Sequence, residues 1–276
     1  MTMYSHLQQQ SQKPVTLTSL RQMKADAEPI ACLTAYDASF AALIDAAGAD
    51  VVLVGDSLGM VVQGHDTTVP VSMDEMVYHT RCVSRTLRHA FLVADMPFAS
   101  YALPQTAYAN AARLMQEGYA QMVKLEGGTL QLKTVEFLAS REIPVCAHIG
   151  LTPQSVHKLG GFRVQGREAD AADHMLHEAQ ALAEAGADIV LLECVPSELG
   201  AAITEAVPVP VIGIGAGPDV DGQILVLYDI LDITVGRKPR FSKNFMAGND
   251  SILQAVGDYV GSVRDGSYPA PEHCFS

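Results

Sequence analysis

Four acidic residues stand where apolar runs of this chain stop. Val-Val-Leu-Val-Gly ends in Asp56, Phe-Leu-Val-Ala in Asp95, Val-Lys-Leu in Glu126 and Ile-Val-Leu-Leu in Glu193. An acid just after a strand commonly caps the next helix, and Asp37, directly before a helical stretch, fits that role. The four fit it less well. Glu is a weak N-cap, Glu126 runs into Gly127-Gly128, and Asp95 runs into Met96-Pro97, where proline opposes immediate helix continuation. Acids gathered at one place repel unless a cation is shared among them. With oxygen donors and no convergent Cys/His set, a hard ion such as Mg²⁺ is expected rather than zinc.

Lys124 lies two positions before Glu126, so strand periodicity puts both side chains on one face. A lysine inside a buried strand needs a counter-charge: either a carboxylate that stiffens the strand or an anionic ligand. When the glycines of the repeated segments are aligned, Glu126 falls opposite Asp56 but Glu193 falls opposite Gly55. That offset brings Glu193 in from another direction, as an acid with a separate task would come. His148 ends the fifth apolar run as a ligand, a hydrogen-bond donor or a satisfied core histidine. The glycine-rich stretch 158–167 is either a mobile lid or a plain surface loop. Residues 213–217, Gly-Ile-Gly-Ala-Gly, form either a phosphate-binding turn or a tight βα turn; the lack of a P-loop lysine favours the second.

Positioning these residues requires a regular scaffold. Short apolar runs at 30–34, 51–55, 91–95, 122–126, 145–149, 189–193 and 211–214 predict strands, with 223–228 ambiguous. Helical periodicity fills 37–47, 73–87, 106–116, 130–140 and 171–185. This alternation is the pattern of a parallel sheet covered on both faces. Ala47-Gly-Ala-Asp-Val-Val-Leu-Val-Gly-Asp56 is echoed by Ala185-Gly-Ala-Asp-Ile-Val-Leu-Leu-Glu-Cys194, a repeat that favours a closed (β/α)₈ TIM barrel over an open doubly wound sheet. Such barrels work at the C-terminal ends of their strands, where the four acids lie. No linker divides the chain, so a single catalytic barrel domain is expected over 16–276, after a flexible polar leader at 1–15. Residues 17–27 are expected as a helix under the barrel floor and 251–264 as the last outer helix.

Composition limits the partners. The 276 residues are 49% hydrophobic and 18% charged, which excludes a disordered chain. A formal charge of −13 is the wrong sign for nucleic acid or an anionic membrane surface. No apolar run reaches the roughly 18 residues that span a bilayer, and the N-terminus has no apolar signal core. The five cysteines are widely spaced without a CxxC, so they read as reduced thiols of a cytoplasmic protein.

The motifs in order resemble the 3-methyl-2-oxobutanoate (ketopantoate) hydroxymethyltransferase family. They are Leu53-Val-Gly-Asp-Ser-Leu-Gly-Met60, Gln63-Gly-His-Asp66, Ala94-Asp-Met-Pro-Phe98, Val123-Lys-Leu-Glu-Gly-Gly128, His148-Ile-Gly-Leu-Thr-Pro-Gln154, Leu192-Glu-Cys-Val-Pro196 and Ile212-Gly-Ile-Gly-Ala-Gly217. The resemblance implies a (β/α)₈ barrel that moves the one-carbon unit of 5,10-methylenetetrahydrofolate onto 3-methyl-2-oxobutanoate, giving 2-dehydropantoate for pantothenate synthesis. It implies Mg²⁺ held by Asp56, Asp95 and Glu126, with Asp56 and Asp95 also meeting the substrate, and a substrate carboxylate held by Ser57 and Lys124. It assigns Glu193 as the proton acceptor and implies a homodecamer. Tyr228 and Asp232 depart from the family's more usual His and Gly. Arg163 and Arg167 are the cations nominated for the folate's anionic tail. The rival reading is a Mg²⁺-dependent lyase or mutase of the phosphoenolpyruvate and isocitrate lyase type, which would use no folate.

Overall fold

Eight parallel strands close on themselves in chain order in the computed structural model, which describes residues 13–236 and 238–276. They are β1 (Ile30–Thr34), β2 (Val51–Val54), β3 (Phe91–Asp95), β4 (Met122–Glu126), β5 (Val145–Gly150), β6 (Ile189–Glu193), β7 (Val211–Ile214) and β8 (Gly222–Leu225). The (β/α)₈ barrel expected from the alternation is thus the fold. β1, β3, β4, β6 and β7 occupy the expected residues, β2 stops one residue earlier, and β5 runs one further. The ambiguous run resolves into β8, which closes the ring by pairing Ile30 with Gly222 through Leu33 with Leu225. The strands are apolar because both faces are covered, one by the barrel interior and one by helices.

The helices are α1 (Leu17–Ala25), α2 (Ala38–Ala46), α3 (Leu58–Val61), α4 (Met73–Ser84), α5 (Pro104–Gln116), α6 (Leu132–Ala139), α7 (Val156–Leu159), α8 (Ala169–Glu184), α9 (Ser197–Ala206), α10 (Leu227–Ile230) and α11 (Ile252–Arg264). Asp37 caps α2, its carboxylate accepting from the main-chain N–H of Ser39 and Phe40. α1 starts at a reciprocal Thr16/Ser19 capping box and buries Leu20 and Met23. It lies under the barrel floor, where Lys24 Nζ meets Asp221 Oδ2 at 2.7 Å just before β8. Of the expected leader, residues 1–12 lie outside the described residues; Val15 is buried and its N–H donates to His89 O.

Two buried polar groups fix the frame. The Tyr259 hydroxyl on α11 reaches the carbonyls of Cys32 (2.8 Å) and Gln223 (2.9 Å), spanning the β1–β8 seam. Asp45 on α2 accepts the main-chain N–H groups of Arg88, His89 and Ala90 at 2.9–3.0 Å, pinning the turn into β3. All five cysteines are free, and Cys32, Cys146 and Cys194 are buried. Among the described residues no helix is long and apolar enough to cross a membrane.

Candidate active site

The strand ends carrying the four acids surround one cavity of about 690 Å³ at the C-terminal mouth of the barrel. None of the acids caps a helix: α3 begins after Ser57, whose side chain makes no cap, and α5 begins at Pro104. Strand register sets their depth. Asp95 pairs with Lys124 and Glu126 with His148, whereas Glu193 pairs with Gly150, two residues beyond His148. Glu193 therefore sits one rung nearer the mouth but on the same inward face as His148, an even step in register that the one-residue offset of the aligned repeats does not describe. Its side chain is 15% exposed against 3% for Glu126. Glycine permits this crowding at two points. A Cβ on Gly55 would lie 2.7 Å from Ser57 Oγ, and one on Gly150, at φ +93°, would lie 2.3 Å from the Glu193 carbonyl.

Deep in the cavity, Asp56, Asp95 and Glu126 are buried around one ammonium. Lys124 Nζ stands 2.5 Å from Asp95 Oδ1 and 3.8 Å from Glu126 Oε1. Burial pulls the lysine pKa down, but Asp95, Glu126 and Asp56 together raise it above its ordinary value, so it stays charged. Asp56 is pushed well up, first by burial and then by the charges of Asp95 and Glu126. Burial also works against an ionised Glu126, but His148 and Lys124 outweigh it and hold that carboxyl below the usual range.

His148 links the deep group to Glu193. Its Nδ1 lies 3.4 Å from Glu126 Oε1 and its Nε2 3.4 Å from Glu193 Oε2. Neither contact has hydrogen-bond geometry, so the attraction is one of charge. Burial and Lys124 lower the imidazole pKa, but the two carboxylates raise it further, to about 9. Of the roles left open for His148, a charged bridge between two acids is the one its position supports.

Asp95 Oδ1 is buried and lacks a donor in hydrogen-bond geometry despite the nearby ammonium. Two buried carboxylates side by side, whose mutual repulsion helps to raise the Asp56 pKa, suit a hard cation. The three carboxylates do not form one ligand set, however. Glu126 Oε2 accepts the Gln154 N–H at 3.0 Å and its Oε1 faces His148 and Lys124. Among the described residues no group of three or more His, Cys, Asp or Glu stands ready to hold a metal. Asp56 and Asp95 adjoin directly, the Asp56 main-chain N–H donating to Asp95 Oδ2 at 3.0 Å, and such a two-carboxylate set suits Mg²⁺, which keeps several water or substrate ligands.

Ser57 Oγ lies 2.9 Å from the buried Tyr36 hydroxyl, within the same cavity wall. The contributions of Tyr36, Tyr101 and Gln154 were not expected from sequence. Phe162, Arg163 and Val164, from the 158–167 loop, line the mouth, while Arg167 Nε turns away to the Ser276 carbonyl. Residues 213–217 do not make a phosphate site: no helix follows β7, and a Cβ on Gly215 would meet the Phe241 ring at 2.8 Å. Tyr228 packs edge-on against Tyr36, and Asp232 has φ +63°, a conformation glycine adopts without strain.

A model of the ketopantoate hydroxymethyltransferase family matches residues 14–271. The 3-methyl-2-oxobutanoate hydroxymethyltransferase of Alkalilimnicola ehrlichii is 61% identical over 273 residues, covering 99% of each chain. That of Janthinobacterium sp. is 54% identical over 273 residues, covering 99% of this chain and all of its own. Among solved structures, a phosphonopyruvate hydrolase in complex with oxalate and Mg²⁺ superposes with a TM-score of 0.59 at 16% identity, covering 94% of this chain and 93% of its own. An oxaloacetate acetylhydrolase gives 0.61 at 14%, covering 92% and 99%. At such identities the structural likeness is one of fold.

Proposed function

The chain belongs to the ketopantoate hydroxymethyltransferase family, and from that premise we propose that it transfers the one-carbon unit of 5,10-methylenetetrahydrofolate to 3-methyl-2-oxobutanoate with Mg²⁺. The observation that carries this reading is the single cavity in which Asp56, Asp95 and Lys124 lie deep while Glu193 stands one rung nearer the mouth. Asp56 and Asp95 would hold the cation, with Glu126 behind them. When bound, Mg²⁺ would polarise the oxygens of the 2-oxo acid and stabilise negative charge developing on them. Lys124 and Ser57 would receive the substrate carboxylate, so the lysine's charge is answered by both protein and ligand.

Glu193 would take the C3 proton, and His148 would hold it in place by charge. Polarisation of the substrate oxygens by the bound cation would acidify the C3–H that Glu193 takes. The C3–H electrons then form the new C–C bond to the folate's methylene carbon. Its bonds to the two folate nitrogens are lost, one water supplies the hydroxyl, and the C3 proton and the water's second proton go to those two nitrogens, giving 2-dehydropantoate and tetrahydrofolate. The exposed Arg163 at the mouth is the cation best placed for the folate's anionic tail. A homodecamer in the cytoplasm completes the proposal, supported by family membership and, for the compartment, by five free thiols.

The rival lyase or mutase reading is not favoured. Proteins of that type share the barrel at 14–18% identity, while the family match spans residues 14–271. The deciding experiment is deuterium exchange at C3 of 3-methyl-2-oxobutanoate with Mg²⁺ and no folate. Exchange is expected with the wild type and a fall of at least 100-fold with Glu193→Gln. Exchange within tenfold of wild type in the variant would refute Glu193 as the base.

A further inference from the structure

Gln154, in the loop after β5, ties that strand end to those of β2, β3 and β4. Its Nε2 donates to Asp56 Oδ2 at 2.8 Å and to the Met96 carbonyl at 3.0 Å. Its main-chain N–H donates to Glu126 Oε2 at 3.0 Å, and its Oε1 accepts from the Tyr101 hydroxyl at 2.5 Å. The residue is only 5% exposed.

Donor and acceptor capacity decides which way the amide points. The Tyr101 oxygen also accepts the Glu126 main-chain N–H at 3.3 Å, which leaves its one proton for Gln154 Oε1. A flipped amide would set its oxygen against the Asp56 carboxylate and the Met96 carbonyl, two acceptors facing an acceptor. Asp56 is thus gripped through Oδ2 rather than Oδ1. A neutral amide also donates without adding charge beside the deep group of three carboxylates.

We propose that Gln154 is a positioning residue that engages Asp56 Oδ2 so that Oδ1 faces a divalent cation, with Tyr101 fixing the sense of the amide. This rests on the metal reading above. Groups that orient a ligand from behind commonly change metal affinity by about 10–100-fold when removed.

The test is Mn²⁺ binding to the metal-stripped protein, read from the paramagnetic resonance of the free ion, with a melting curve for each variant. Gln154→Met keeps the length of the side chain but cannot donate. It is expected to raise the Mn²⁺ Kd about tenfold or more while melting cooperatively, and Tyr101→Phe to raise it by a smaller factor. A folded Gln154→Met with a Kd within twofold of wild type overturns the inference. If Gln154→Met does not fold, Tyr101→Phe decides, and an unchanged Kd there overturns it. Wild-type protein that binds no Mn²⁺ overturns the metal reading and this inference with it, whereas tight wild-type binding with unaffected variants overturns the inference alone.

Discussion

Replacing Lys124 by Met tests whether one buried ammonium holds the acid cluster together. The side chain is deeply buried, with Nζ 2.5 Å from Asp95 and 3.8 Å from Glu126. At about 4 Å and an effective dielectric of about 20, a charge pair is worth about 4 kcal/mol before desolvation is subtracted. Methionine keeps the volume but removes the charge, leaving buried carboxylates without their cation, a change that typically costs about 3–5 kcal/mol. For a chain of this size, where each kcal/mol corresponds to roughly 2 °C, the melting temperature should fall by about 6–10 °C at pH 7.5. The sign of the pH dependence follows from Glu126. Its folded pKa is depressed, so its stabilising contribution is present above the unfolded value of about 4.3 and is lost as pH falls through the folded value. Lys124 is one cause of that depression, so the gap between wild type and Lys124→Met should be widest at neutral pH and narrow on acidification toward pH 4. Melting followed by circular dichroism from pH 4.5 to 7.5 measures it. A gap below about 2 °C at pH 7.5, or one independent of pH, would refute the idea that Lys124 is the compensating charge.

Two further outcomes are expected. His148 has a folded pKa of about 9 against an ordinary value of 6.5, so its stabilising contribution is full below 6.5 and lost as pH rises through 9. The wild type should therefore lose about 3 kcal/mol of urea stability over that window, and His148→Gln should show a flatter profile; equal slopes would rule out the charged bridge. Asp45→Ala strips the acceptor from three main-chain N–H groups far from the cavity, so it should destabilise by about 3 kcal/mol while leaving kcat of the folded fraction unchanged, and a stability loss under about 1 kcal/mol would show that water replaces the carboxylate.

The strand-end acids were legible because strands are short, apolar and periodic: the run lengths located Asp95, Glu126 and Glu193 at strand ends, and a period of two put Lys124 beside Glu126. Three things lay beyond that logic. The role of His148 depends on cross-strand register, which sets it beside Glu126 on one flank and one rung below Glu193 on the other. Gln154 sits in the short 3-10 turn Pro153–Ser155 and Tyr101 in the turn after β3, where side-chain contacts are decided by tertiary packing rather than by strand periodicity. The β7–β8 connection has no helix, and the Gly/Pro-rich residues 215–221 carried no signal that one unit of the repeat would be incomplete.

The division of labour among the carboxylates follows from depth and charge together. Asp56, Asp95, Glu126 and Glu193 face two cationic side chains, Lys124 and His148, a deficit of two positive charges that one divalent ion would fill. A cation held by Asp56 and Asp95 would relieve the repulsion that raises the Asp56 pKa, so the pair is unfavourable without the ion and favourable with it. Glu126 cannot serve as the base, because its oxygens are already engaged by Gln154, His148 and Lys124 and its pKa is depressed. Glu193 touches only His148 among the charged groups of the site and lines the same cavity as the deep group. That freedom, and its place one rung nearer the mouth, are what support Glu193 in the proposed role of base.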